Sequence, residues 1–175
     1  MIIVLGLDPG SRHFGWGVVR REGTRLGHVA HGIIHPDITT PFAERLVTIE
    51  RELVRVVEAY APTYASVEGL FFAKDAQAAA KLGHARGVAL LVCARAGLEV
   101  AEYAPARVKR TIAGAGRADK TQVAQMVKVI LRLRDAPPSD AADALALAVT
   151  HLSRSPLRPL PAPAGHPSSR GSPAR

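Results

Sequence analysis

The sequence predicts an α/β domain: a five-stranded mixed sheet, strands one to three antiparallel and strands four and five parallel to strand one, flanked by helices. Three observations lead there. Ile2 to Leu7 is an unbroken apolar run closed by Pro9-Gly10, as expected of a strand buried on both faces. Two more strand-like runs follow across short turns, which reads as an antiparallel meander. Further on, short apolar strands alternate with long helical patterns, and a helical crossover makes the strand after it parallel to the first.

In chain order, strand one (2–8) ends in Asp8, and Pro9 and Gly10 suit the two corners of a type II turn that reverses the chain after that carboxylate. Strand two (14–20) carries Trp16 between Gly15 and Gly17, and Arg21-Glu22-Gly23-Thr24 turns it into strand three (about 25–34). Thr40 and Pro41 read as an N-cap with proline at the first helical position. Leu46, Ile49, Leu53, Val56, Val57 and Tyr60 then recur at helical spacing until Pro62 stops the helix. Tyr64 to Glu68 is a fourth strand, again with an acid at its exit. After an apolar loop, Gly69 to Phe72, a long alanine-rich helix spans 76–96, with Gly83 and Gly87 leaving small-residue surface. Strand five (98–103) precedes a short helix after Pro105 and a flexible loop over 114–117. Asp119 and Gln122 fit a capping box for a helix whose buried stripe is Val123, Met126, Val127, Ile130 and Leu131. Pro137-Pro138 end that segment, and Ser139-Asp140 open a last helix with Ala142, Leu145, Ala146, Val149 and Leu152 as its apolar face.

At 175 residues and 47% apolar composition the chain suits one domain, at 1–153, followed by a disordered, basic, proline-rich tail at 154–175. No apolar run reaches the roughly 18 residues of a membrane span. Nothing at the start resembles a secretory leader, so a cytoplasmic protein is expected. Cys93, the single cysteine, lies in an apolar stretch and reads as a small core residue. Net charge is +8, yet four of the 23 basic residues and none of the 15 acids fall at 154–175, which leaves the domain moderately basic. Its densest positive patch is Arg107, Lys109, Arg110, Arg117 and Lys120 against one acid, Asp119. That suits a polyanionic partner, although a solvated positive face would look the same. Lys120 falls in a first helical turn, where the helix dipole disfavours a cation.

Asp8 has an ordinary explanation as a turn aspartate bonding its own backbone, Asp140 and Asp143 have one as an N-cap aspartate with a second acid at N3, and Glu68 lies at a strand exit. Together they suggest more. Parallel neighbours one and four would open to the same sheet edge, where open α/β sheets place ligands. Four acids at one spot repel unless cations cancel them, and hard oxygen donors select Mg²⁺ or Mn²⁺ over zinc. Two such ions about 4 Å apart can activate water and stabilise the leaving oxygen of a phosphodiester.

LGLDPGSRHFGWGV, SVEGLFFAKDAQAAAKLGHARG, VKRTIAGAGRADKTQV and DAADALALAVTH, in this order, resemble the RuvC family of bacterial Holliday-junction resolvases over about residues 1–153. The resemblance implies a ribonuclease-H-like fold and a homodimer that makes paired, Mg²⁺-dependent nicks across four-way junction DNA in recombination and repair. It also implies two Mg²⁺ ions per site, with Mn²⁺ able to substitute, and the branch-migration proteins RuvA and RuvB as partners. By position, Asp8, Glu68, Asp140 and Asp143 would be the metal-binding catalytic acids and Lys109 a catalytic lysine. Phe71, Lys74, Arg107, Lys109, Arg110, Arg117 and Lys120 would contact DNA, Phe71 by stacking on a junction base and Lys120 by facing phosphate. Two rivals use some of the same features: an ATP-using sugar-kinase or actin-like protein, suggested by DPGSRHFGWG, and a non-catalytic DNA architectural protein, suggested by the charge. The first needs two such domains, and the second leaves the four acids unexplained.

Overall fold

The computed structural model describes residues 1–69, 76–114 and 116–154. Its strands are β1 (Ile2–Asp8), β2 (Phe14–Glu22), β3 (Arg25–Ile34), β4 (Tyr64–Glu68) and β5 (Glu99–Tyr103). Its helices are α1 (Phe42–Tyr60), α2 (Ala76–Arg95), α3 (Pro105–Ala113), α4 (Lys120–Leu131) and α5 (Ser139–Leu152). The sheet order is β3-β2-β1-β4-β5, with β1-β2 and β2-β3 antiparallel and β1-β4 and β4-β5 parallel, as the sequence predicts. Residues 70–75, 115 and the expected tail beyond Arg154 lie outside the described residues, and with them Phe71 and Lys74.

The central strand explains its own composition. Val4, Leu5 and Leu7 are fully buried, and the two-residue period sends Val4 to one core and Leu5 and Leu7 to the other. The first core lies beneath α3, α4 and α5, and the second beneath α1 and α2. Cys93 belongs to the second, where burial pushes its thiol up to about 11, so it stays an inert thiol near neutrality.

Three local expectations need correction. Thr40 does not cap α1; its hydroxyl donates to the Asp37 carbonyl at 2.8 Å, and Asp37 Oδ1 accepts from the Thr39 amide and hydroxyl. Those short-range bonds make 37–40 a turn, and α1 starts behind Pro41 with no side-chain cap. Met126 points outward, because α4 buries the narrower i, i+4, i+8 line of Val123, Val127 and Leu131. Helix α5 is not one-sided. Every residue from Ala141 to Leu152 is buried except Asp143.

Glycines on the sheet make room for that helix. A Cβ on Gly6 would collide with the carbonyl oxygen of Ala144, one on Gly15 with that of Asp140, and one on Gly17 with the Leu145 side chain. The backbone of α5 therefore lies directly on β1 and β2, closer than any side chain at those three positions permits.

Candidate metal and nucleic-acid site

Strand register places the first two acids. Leu7 pairs with Val67 in the parallel β1-β4 ladder, so Asp8 and Glu68 follow side by side on strands about 4.8 Å apart. Both share a face with Gly6 and Ser66 two residues earlier, which is the face covered by α5. The glycine contacts then fix the first turn of α5 against Gly15, the residue paired with Asp8. Asp140 and Asp143 are thereby delivered to the same sheet edge. Pro138 is the N-cap of α5 and no side chain caps it, so the ordinary capping role for Asp140 does not apply.

Asp8, Glu68 and Asp143 line one cavity of about 230 Å³ together with Lys109, Lys120, Pro105, Val108, Val123 and Leu147. Asp140 stands outside the lining, but its charge is felt by both Asp8 and Asp143. Burial, and then the charges of Asp143, Glu68 and Asp140, push Asp8 up to about 7 against the opposing pull of Lys120. Glu68 and Asp143 are raised as well, burial leading in each case and Lys120 opposing it. Lys120 Nζ sits 3.3 Å from Asp143 Oδ2, and Asp143 raises the lysine in return. The cation that the α4 dipole disfavours is thus held by the acids across the cavity.

The donor set fits hard divalent cations: it is all carboxylate oxygen, and two lysines leave part of its negative charge uncompensated. Among the described residues no three His, Cys, Asp or Glu side chains are grouped tightly enough to hold an ion as they stand. Asp143 is paired with Lys120.

The rest of the basic patch divides. Lys109 lines the cavity, whereas Arg107 lies over the Tyr103 ring with its guanidinium carbon 5.5 Å from the centroid. Arg110 and Arg117 are exposed and outside the lining. Asp119, the patch's one acid, is occupied as the N-cap of α4: its side chain accepts from the Gln122 amide at 2.8 Å.

Sequence reasoning missed Arg86. This buried α2 residue donates from Nη1 to the Glu68 carbonyl at 2.8 Å and pairs through Nη2 with Glu102 at 2.6 Å. It ties the exit of β4 to β5 and so fixes where Glu68 starts. The signal was a lone charge between Ala85 and Val92 in an otherwise small and apolar stretch.

The family model described as Crossover junction endodeoxyribonuclease RuvC matches residues 4–151. The chain belongs to the RuvC family. A curated relative of that description from Sorangium cellulosum (strain So ce56) is 59% identical over 167 residues, 95% of this chain and 93% of its own length. One from Rhodopseudomonas palustris (strain TIE-1) is 55% identical over 150 residues, 86% of each chain. Among solved structures, T. thermophilus RuvC in complex with Holliday junction substrate superimposes with a TM-score of 0.82 at 38% identity, covering 87% of this chain and 93% of that one. The yeast mitochondrial Holliday junction resolvase Ydc2 is 13% identical with a TM-score of 0.62, covering 84% of this chain and 76% of that one, a likeness of fold alone. The ribonuclease-H-like sheet expected of a RuvC-family chain is therefore present, in the expected strand order. Among the described residues no helix is long and apolar enough to cross a membrane.

Proposed function

We propose that this chain is a structure-specific endonuclease that resolves four-way (Holliday) DNA junctions by paired symmetric nicks, in homologous recombination and DNA repair. The observation that carries this reading is the meeting of Asp8, Glu68 and Asp143, from β1, β4 and α5, in one cavity rimmed by Lys109 and Lys120. Membership of the RuvC family supports the substrate, since a relative has been solved with a Holliday junction.

Asp8, Glu68 and Asp143, with Asp140 beside them, would hold two Mg²⁺ ions, and Mn²⁺ would substitute because both prefer oxygen donors. Bound there, such ions supply an activated water and charge neutralisation at the phosphodiester. The chain's own residues do the positioning. Asp8 and Glu68 are fixed by strand register, Asp143 by the seating of α5, and Lys109 and Lys120 present ammonium groups to an incoming phosphate.

A junction with two-fold symmetry needs two sites in the same relation, which an isologous dimer provides. The outward face of α2 suits that contact. Ala80, His84, Gly87, Leu91 and Ala94 are exposed along it, and a Cβ on Gly83 or Gly87 would meet nothing within 4 Å. The working protein is accordingly a cytoplasmic homodimer, with RuvA and RuvB as the partners the family implies.

The test is incubation of labelled four-way and linear DNA with the protein, with and without Mg²⁺. Paired symmetric nicks on the junction alone, dependent on the ion, are expected, and Glu68→Gln should bind without cutting. Cutting by Glu68→Gln at the normal rate would overturn the metal assignment, and equal cutting of linear duplex would overturn the substrate.

A further inference from the structure

A second charged pocket lies at the same sheet edge, on the face covered by α1 and α2. It has a volume of about 340 Å³ and is lined by Gly10, Ser11, Arg12, Arg45, Lys81 and the first turn of α2. Three cations from three elements meet there, and the described lining contains no acid. Among the described residues none of the three forms an ion pair. Arg45 is anchored: its guanidinium lies over the Phe42 ring at 5.1 Å and reaches the Ser11 carbonyl at 3.5 Å, while its buried Nε has no hydrogen-bond partner. Arg12 and Lys81 are exposed at the rim. Gathering three unpaired cations costs free energy that an anion would return.

The geometry points to a binding site for a backbone phosphate of the substrate DNA that is not the one being cut. Position selects that anion. Ser11 is three residues from Asp8, so their Cα atoms are at most about 11 Å apart. A strand rising about 3.4 Å per nucleotide covers that span in about three nucleotides. A DNA strand with one phosphate at Asp8 and Glu68 can cross the 9–13 loop and set a neighbouring phosphate among Arg12, Arg45 and Lys81. The first turn of α2 adds Gln77 and Ala78 to the lining and carries no acid. This inference rests on the nuclease reading, and it assigns to DNA three residues that the family motifs did not single out.

The experiment measures binding of the full chain to a labelled four-way junction without divalent ions, over about 50 to 200 mM salt. The double variant Arg12→Gln/Lys81→Gln removes two exposed charges and leaves Arg45 packed. Its junction affinity should fall about tenfold, and its log–log salt slope should become shallower by about 0.9, the value for one lost phosphate contact. The double variant Arg12→Lys/Lys81→Arg should restore the slope. Unchanged affinity and slope in the glutamine variant, with wild-type cutting of the junction intact, overturns the pocket and leaves the nuclease standing. A changed slope in a protein whose wild type cuts nothing upholds the phosphate contact and removes the nuclease. A melting-temperature rise with inorganic phosphate that the glutamine variant loses, while junction affinity stays the same, makes the ligand a free small anion and overturns the assignment to DNA.

Discussion

Asp8→Asn should make the metal-free protein more stable while it stops cutting. Asp8 is moved from 3.8 to about 7, first by burial and then by its acidic neighbours. At about 1.4 kcal/mol per pH unit, the ionised group costs the folded chain about 4 kcal/mol. Solvent at the mouth of the cavity lowers what the amide recovers to about 2–4 kcal/mol, or about 5–10 °C in melting temperature for a chain of this size. The sign follows from the raised acid. Above pH 7 Asp8 is ionised in both folded and unfolded chains and the penalty is complete; it shrinks as pH falls below 7 and is gone below about 4. Glu68 and Asp143 are shifted in the same direction. His151 opposes them: it is buried and lowered to about 4, so its contribution to stability is lost as pH falls below 6.5. The difference between wild type and Asp8→Asn cancels that histidine. Melting curves in EDTA from pH 8 to pH 5 should show wild type gaining about 2.5 kcal/mol on the variant. Mg²⁺ at about a hundred times its dissociation constant should then stabilise wild type by about 2.7 kcal/mol and the variant far less. A variant no more stable than wild type at pH 8, or a difference that does not change with pH, would refute the account of repelling acids.

Two structural substitutions probe how the acids are held in place. Gly15→Ala drives a methyl into the Asp140 carbonyl and must lift the first turn of α5, costing about 1–3 kcal/mol. Because that turn carries Asp140 and Asp143, a displacement near 1 Å should slow nicking about a hundredfold, and an unchanged rate and melting temperature would sink the glycine argument. Arg86→Met keeps the side chain's bulk but leaves the Glu68 carbonyl without its 2.8 Å donor, costing about 2–3 kcal/mol. Arg86 acts by positioning, so junction affinity should hold while the rate at saturating DNA falls; weaker junction binding with an unchanged rate would contradict that role.

What was legible in the sequence was local. The buried first strand, the meander, the crossover to β4 and the Asp119-Gln122 capping box each follow from residues near one another in the chain, and the structure has them all. Thr40 misled because Asp37 captured its hydroxyl three residues back, a competition that a propensity for capping cannot register. Met126 fits a helical stripe as well as its neighbours do, and only the width of the groove it faces decides its exposure. The larger omission concerns α5. Its leucines and valines suggest one apolar face, but its alanines at 141, 142, 144, 146 and 148 are what allow burial on all sides. The complementary signal, glycines at 6, 15 and 17, is split between two strands and becomes visible only once their register is known. Arg86, and the set of Arg12, Arg45 and Lys81, escaped for a related reason: a charge on a helix or loop reads as solvated until the fold shows what faces it.

The same packing explains both the site and its instability. Seating α5 on bare glycine brings Asp143 to within reach of Asp8 and Glu68, and it leaves Asp143 as the one residue of the helix between Ala141 and Leu152 that is partly open. Proximity and burial together raise three carboxylates, which is unfavourable for a metal-free fold and favourable for capturing a divalent ion. Lys120 moderates the repulsion from a position that weakens its own helix, so it couples the charge of the cavity to the start of α4. The sheet edge has acids on one face and, on the other, cations that form no ion pair among the described residues, an arrangement that fits the proposed cutting at Asp8 and the proposed holding of a phosphate at Arg12, Arg45 and Lys81. Neutralising the acids should therefore raise stability and abolish cleavage, whereas neutralising the cations should change the salt dependence of binding and leave the pH dependence of folding as it was.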